Sequence, residues 1–176
     1  MAGLPEEEYD NLTEEEKTPR LYKWFEVEKF NNSIAIWPFA GYGKGLERSP
    51  SFDWWSGVLL KISKLNFKIF HCGHFSEPRF ENIPNLIRIC DKSFIEQVKI
   101  SLGTNLCVNS DSGSGLVIGA YGMNQITILT NWNWGHRANF NALEPINKNN
   151  STLFSKYSCD LLNQEYFISV LREKIK

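Results

Sequence analysis

The residues of this chain that could do chemistry are concentrated in short loops that follow apolar runs. Asn105-Leu-Cys-Val-Asn109 leads into Ser110-Asp-Ser-Gly-Ser-Gly115 and then into a helical pattern. Small residues at such a junction let a ligand approach the backbone, and the unpaired N–H groups of a helix's first turn can bind phosphate oxygens. The same residues also suit a plain helix cap with a glycine-rich turn, which any βα unit can use. An earlier loop, Phe39-Ala-Gly-Tyr-Gly-Lys-Gly45, carries Lys44, with Arg48 just beyond it. Two cations facing one cleft would neutralise a diphosphate, Arg binding two oxygens at once. The commoner role of such loop residues is that of solvated surface charges.

His71 and His74 flank Cys72-Gly73, and Glu77 follows. That spacing permits a base and carboxylate pair or two metal ligands, but the local sequence offers no third ligand, so no metal is expected. Farther on, Trp132, Trp134, His136 and Arg137 form a cluster that could stack on a base or a sugar, or could plug the end of a sheet. The cysteines show no CxxC pair, and Cys72, Cys90 and Cys107 fall in apolar runs, where a thiol behaves as a small hydrophobe. No G-x-S-x-G elbow or Walker loop is present, which removes the commoner hydrolase and P-loop readings.

These loops must be positioned by the elements around them. After an acidic lead-in, Thr13 and Glu16 have capping-box spacing, which predicts a short helix over 14–29. From Ser33 onward, apolar runs of strand length alternate with amphipathic stretches, the pattern of βα units around a parallel sheet. Strands are expected over 33–38, 67–71, 86–90, 105–109 and 125–130. Helices are expected over 51–65, from a cap at Asp91 or Ser93 through Ile100, from Gly115 to about Met123, and over 160–174. The polar stretch 131–158 reads as a long connection, a kind that is usually a lid or binding loop. The division is thus a lead-in and short helix over 1–32 and one α/β domain over 33–176.

With 176 residues, the chain suits one domain rather than two. The near-neutral charge, 19 basic against 20 acidic residues, gives no field that would favour nucleic acid or an anionic membrane. No apolar stretch approaches the roughly 20 residues of a membrane span. The acidic N-terminus does not have the form of a signal peptide, so a cytoplasmic protein is expected.

The order of these pieces resembles the C-terminal, donor-binding half of the GT-B glycosyltransferases of the ADP-heptose:lipopolysaccharide heptosyltransferase family. The resemblance runs over about residues 33–174. It is carried by the strand ending at Pro38 with Arg48, Pro50 and Trp55 beyond it, and by Phe67-Lys-Ile-Phe-His-Cys-Gly-His-Phe-Ser-Glu77. It continues through Asp111-Ser-Gly113, Gly119-Ala-Tyr-Gly122 and Gln125-Ile-Thr-Ile-Leu129 to the tail at Cys159-Asp-Leu-Leu. The chain departs from the family pattern at Leu116, where a histidine is usual, and at Ser114, where a proline is common.

The resemblance implies a Rossmann-like parallel sheet of about five to six strands flanked by helices, half of a GT-B fold. It implies a nucleotide sugar as substrate, with no other cofactor and no metal, and inverting transfer of the sugar. Phosphate contacts fall to Arg48, Ser112, Gly113 and Ser114, and the cleft loops to Gly41, Lys44, Gly73, Asp111, Trp132, Trp134 and His136. No residue is assigned as catalytic: the acceptor and the general base would come from an N-terminal half or from a second copy of the chain. A different class stays open beside this one, a non-catalytic module that keeps the fold and binds a glycan or a protein. A third reading is half of a related GT-B enzyme such as a nucleotide-sugar epimerase.

Overall fold

The computed structural model describes residues 27–40, 49–130, 149–155 and 159–175. Its strands are β1 (Ser33–Trp37), β2 (Lys68–His71), β3 (Leu86–Arg88), β4 (Leu106–Ser110), β5 (Gln125–Thr130) and β6 (Asn150–Ser155). Its helices are α1 (Phe52–Ser63), α2 (Phe94–Gly103), α3 (Gly113–Ala120) and α4 (Gln164–Ile175). The strands form one parallel sheet in the order β3-β2-β1-β4-β5-β6. The expected α/β class and Rossmann-like sheet are therefore those of the molecule.

Period-two alternation along the central strands sorts their side chains onto two covered faces. Ile34, Ile36, Ile69, Leu106, Val108, Ile126 and Ile128 pack under α1 and α4 with Trp55, Leu59, Ile62 and Phe167. Ala35, Trp37, Phe70, Cys72 and Cys107 face the other way, with Val98 and Leu102 of α2 and Ile118 of α3. A strand buried on both faces has no polar side to present, which is why β1 reads as an almost unbroken apolar run.

Helix starts follow the sequence closely. Ser51 caps α1 by accepting from the Trp54 N–H at 3.2 Å. Ser93 and Glu96 form a reciprocal capping box on α2. The closing helix begins later than expected. A 3-10 turn at Cys159–Leu161 comes first, and Asn163 Oδ1 then accepts from the Glu165 and Tyr166 N–H groups at 2.8 and 3.0 Å. Of the helix expected over 14–29, residues 27–29 are irregular and the remainder lies outside the described residues.

The stretch 131–158 is not all connection, because it contains β6. That strand is Asn-Ser-Thr-Leu-Phe-Ser, and at the edge of the sheet it gives Leu153 to the core while its polar side chains are satisfied by hydrogen bonds. Thr127 Oγ1 donates to Asn150 Oδ1 at 2.9 Å, Gln125 Nε2 donates to Thr127 Oγ1 at 2.9 Å, and Asn150 Nδ2 donates to Thr152 Oγ1 at 2.9 Å. A search for apolar runs passes over such a strand. Among the described residues, no helix is long and apolar enough to cross a membrane.

Leu59 is wholly buried between α1 and the sheet. Leu59→Ala is expected to cost about 2–5 kcal/mol, read from the urea midpoint, through lost burial plus the cavity left behind. A loss below about 1 kcal/mol would mean that this face is not packed as described.

Candidate functional site

Strand order reverses on either side of β1, since β2 and β4 both pair with it. The connections leaving β1 and β4 therefore part to opposite sides and open a crevice at the carboxyl ends of the strands, the usual ligand position in open parallel sheets. A cavity of about 890 Å³ lies there. Trp37 and Phe39 line it after β1, Gly73 to Pro78 after β2, Cys90 to Lys92 after β3, and Ser112 to Ser114 after β4. Phe52, Phe94 and Gln97 complete the wall.

The β4 side is the amino end of α3. Ser112 stands at the N-cap position with extended backbone, yet its side chain makes no capping bond to the helix. Its hydroxyl is paired instead with Ser114 Oγ at 2.7 Å. The first turn is therefore not closed by a side-chain cap: the Gly115 and Leu116 N–H groups donate to Ser112 O at 3.1 and 3.4 Å, and those of Gly113 and Ser114 stand with the positive end of the helix dipole at the cavity wall. An added Cβ at Gly113 would meet nothing within 4 Å, so the backbone there borders open space. Gly115 is different, because a Cβ would strike the side chain of Asn109 beneath the helix. One glycine thus faces the cavity and the other is needed for packing. Asp111 is buried at 7% exposure and does not line the cavity, while its N–H donates to Ile128 O at 3.1 Å.

The opposite wall is tied together by Gln97, itself buried. Its Oε1 accepts from Gly73 N at 2.7 Å, and its Nε2 donates to Gly73 O at 3.1 Å and to Lys92 O at 2.8 Å. One amide thus fixes the loops after β2 and β3 to α2. Gly73 has φ +147°, and a Cβ on it would collide with the Glu77 carboxylate, which lies against its backbone. Glu77 Oε1 accepts from His74 N at 3.0 Å, and Oε2 lies 3.3 Å from His71 Nε2. Of the two histidines, His71 thus forms the pair with Glu77, while the exposed His74 turns to Ser76 Oγ at 2.7 Å.

Cys90 joins this pair. Its Sγ, one nitrogen of His71 and one carboxylate oxygen of Glu77 all lie within 4.8 Å of one another. The third donor is invisible to local spacing because it is brought in by the parallel pairing of β2 with β3, His71 opposite Arg88. Burial pushes the Cys90 thiol up to about 11, with Arg88 pulling the other way. Burial also raises the thiols of Cys72 and Cys107 well above the ordinary cysteine range, as expected of core thiols.

Of the residues singled out in the sequence, Ser112, Gly113, Ser114 and Gly73 meet around one cavity. Gly41, Lys44, Arg48, Trp132, Trp134 and His136 lie outside the described residues. Gln97 was not legible as a site residue, since a glutamine on an amphipathic helix looks like a solvated position. Phe75 and Phe94, exposed at 69% and 49%, put flat apolar surface at the rim.

No protein-family model matches the chain, and no curated protein does either. Its fold is shared with solved structures. An Escherichia coli heptosyltransferase, WaaC with ADP, superposes with a TM-score of 0.66 at 12% identity, over 83% of this chain and 46% of that one. The E. coli ADP-heptose lipopolysaccharide heptosyltransferase II gives 0.66 at 10% identity, over 86% and 48%. A family 9 glycosyl transferase from Veillonella parvula gives 0.63 at 11% identity, over 86% and 47%. At these identities the likeness is one of fold, that of a GT-B half. The chain spans less than half the length of each of these three.

The contrast between α2 and α3 can be measured. Ser93→Ala should lower stability by about 1 kcal/mol because it removes a capping serine. Ser112→Ala, with no capping bond to lose, should change it by less than about 0.5 kcal/mol. Equal losses in chemical denaturation would show that Ser112 caps its helix after all.

Proposed function

We propose that the chain binds a nucleoside-diphosphate sugar in the cavity at the carboxyl ends of its strands, as the donor-binding half of a glycosyltransferase. The observation that carries this reading is the amino end of α3, where Ser112, Gly113 and Ser114 line the cavity and no side-chain cap closes the first turn. Oriented N–H donors at a helix amino end suit a diphosphate, whose charge grows as it departs. The solved structures that share this fold include one holding ADP and one holding an ADP-heptose analogue, which supports the same class of ligand here.

Arg48 is the second phosphate contact that the sequence resemblance implies, and Lys44 precedes it by four positions in the sequence. With the helix amino end, a guanidinium would meet the diphosphate charge without a metal bridging the phosphates. The exposed rings of Phe75 and Phe94 offer a surface against which a base can pack. Transfer itself needs an acceptor held in line with the anomeric carbon and a base to take its proton, with inversion at that carbon. We assign both to a facing half or to a second copy of this chain.

Binding without transfer is the second reading, and Leu116 favours it, since it stands where the family pattern has a histidine. Calorimetric titration with ADP, UDP, GDP and their sugar conjugates tests what both readings leave open. We expect saturable binding of at least one nucleotide, weakened about tenfold or more by Gly113→Val and by Arg48→Ala. The melting temperature of Gly113→Val should be near that of the parent chain, because the new side chain enters open space. Failure of every nucleotide to bind would overturn the donor-half proposal and leave the glycan- or protein-binding module.

A further inference from the structure

We propose that His71, Glu77 and Cys90 form a zinc-binding site of three protein ligands, with its open coordination position facing the cavity. The proposal stands apart from the nucleotide reading, because none of its ligands belongs to the wall formed by Ser112, Gly113 and Ser114.

Bonds of the usual length from zinc to nitrogen, oxygen and sulfur, at tetrahedral angles, place ligand atoms about 3.3–3.6 Å apart. His71 Nε2 and Glu77 Oε2 already stand 3.3 Å apart, and the Cys90 sulfur completes a group within 4.8 Å. Small side-chain rotations would bring the three to bonding distance. His71 is wholly buried, so its imidazole is held with Nε2 toward the Glu77 carboxylate rather than free to turn to solvent.

The donor set selects the metal. An imidazole nitrogen, a carboxylate oxygen and a sulfur together suit zinc and are a poor match for magnesium or calcium, which take oxygen ligands. Glu77 and Cys90 line the cavity while His71 lies behind them, so the free coordination position is directed toward bound ligand or water. On binding, the Cys90 S–H bond breaks, the proton leaves to solvent and the sulfur bonds to zinc, with no change of oxidation state.

The surroundings hold these ligands in place. Arg88 donates to the backbone oxygens of Phe75 and Glu77 at 2.6 and 3.4 Å, and Gln97 fixes Gly73. Such outer contacts orient ligands in metal sites.

The test uses the full chain, stripped with chelator and titrated with zinc alone and with cobalt(II) as a spectroscopic substitute, in the absence of nucleotide. We expect one ion per chain, and a cobalt complex with a sulfur-to-metal charge-transfer band. Cys90→Ser should abolish that band, and both Cys90→Ser and Glu77→Gln should weaken zinc binding tenfold or more. His74→Ala, which removes the neighbouring exposed histidine, should leave binding unchanged. Failure of the parent chain to bind zinc, a cobalt spectrum without the sulfur band, or binding lost in His74→Ala would each overturn the proposal. The parent chain's cobalt spectrum decides the matter even if a variant fails to fold. A chain that binds zinc but no nucleotide would sink only the donor-half reading, and the converse result would sink only this one.

Discussion

Everything at the candidate site depends on the parallel register around β1. Ile36 stands opposite His71 on one side and Val108 on the other, and His71 in turn stands opposite Arg88. In a parallel sheet all carboxyl ends lie on one rim, so this register brings the loops after β1, β2, β3 and β4 to one level. Residues as far apart in the chain as Trp37, Cys90 and Gly113 come to share a cavity for that reason alone. A slip of one residue would turn each strand's side chains to the opposite face and take His71 away from Glu77 and Cys90.

Buried polar contacts then make the rim rigid. Trp37 Nε1 donates to Ser101 Oγ at 3.0 Å, and that hydroxyl donates to Gln97 O at 2.9 Å. Gln97 reaches on to Gly73 and Lys92, so β1, α2 and the loops after β2 and β3 form one connected network. A fully satisfied network of this kind holds geometry, because each member that lost its partner would be left buried and unpaired. The α3 side is built differently. Its Gly115 lets the helix sit close over Asn109, while its serines bond to each other and leave the first turn without a side-chain cap. One wall is clamped and the other is open to a ligand.

Much of this was legible in the sequence, and the exceptions share a cause. The central strands appear as apolar runs because both faces of the sheet are covered. Ser51 and Ser93 mark helix starts because their side chains fill the capping role that their type predicts. The strand β6 was hidden because an edge strand can satisfy Asn150 and Thr152 by lateral hydrogen bonds. The grouping of His71 and Glu77 with Cys90 could not be read locally, since β-strand pairing, not sequence spacing, creates it. Gln97 is not readable as a site residue because its role lies in a paired contact with the backbone of Gly73, 24 residues away, beside one with nearby Lys92.

The central claim is that the amino end of α3, facing the cavity, receives an anionic ligand. Backbone amide resonances followed during titration with ADP, or with whichever nucleoside diphosphate binds, test it residue by residue. The account predicts the largest and saturable shifts at Ser112, Gly113 and Ser114, with smaller ones along Gly73 to Glu77 and little change on the outer faces of α1 and α4. Saturable shifts that spare Ser112, Gly113 and Ser114 and fall elsewhere on the molecule would contradict it.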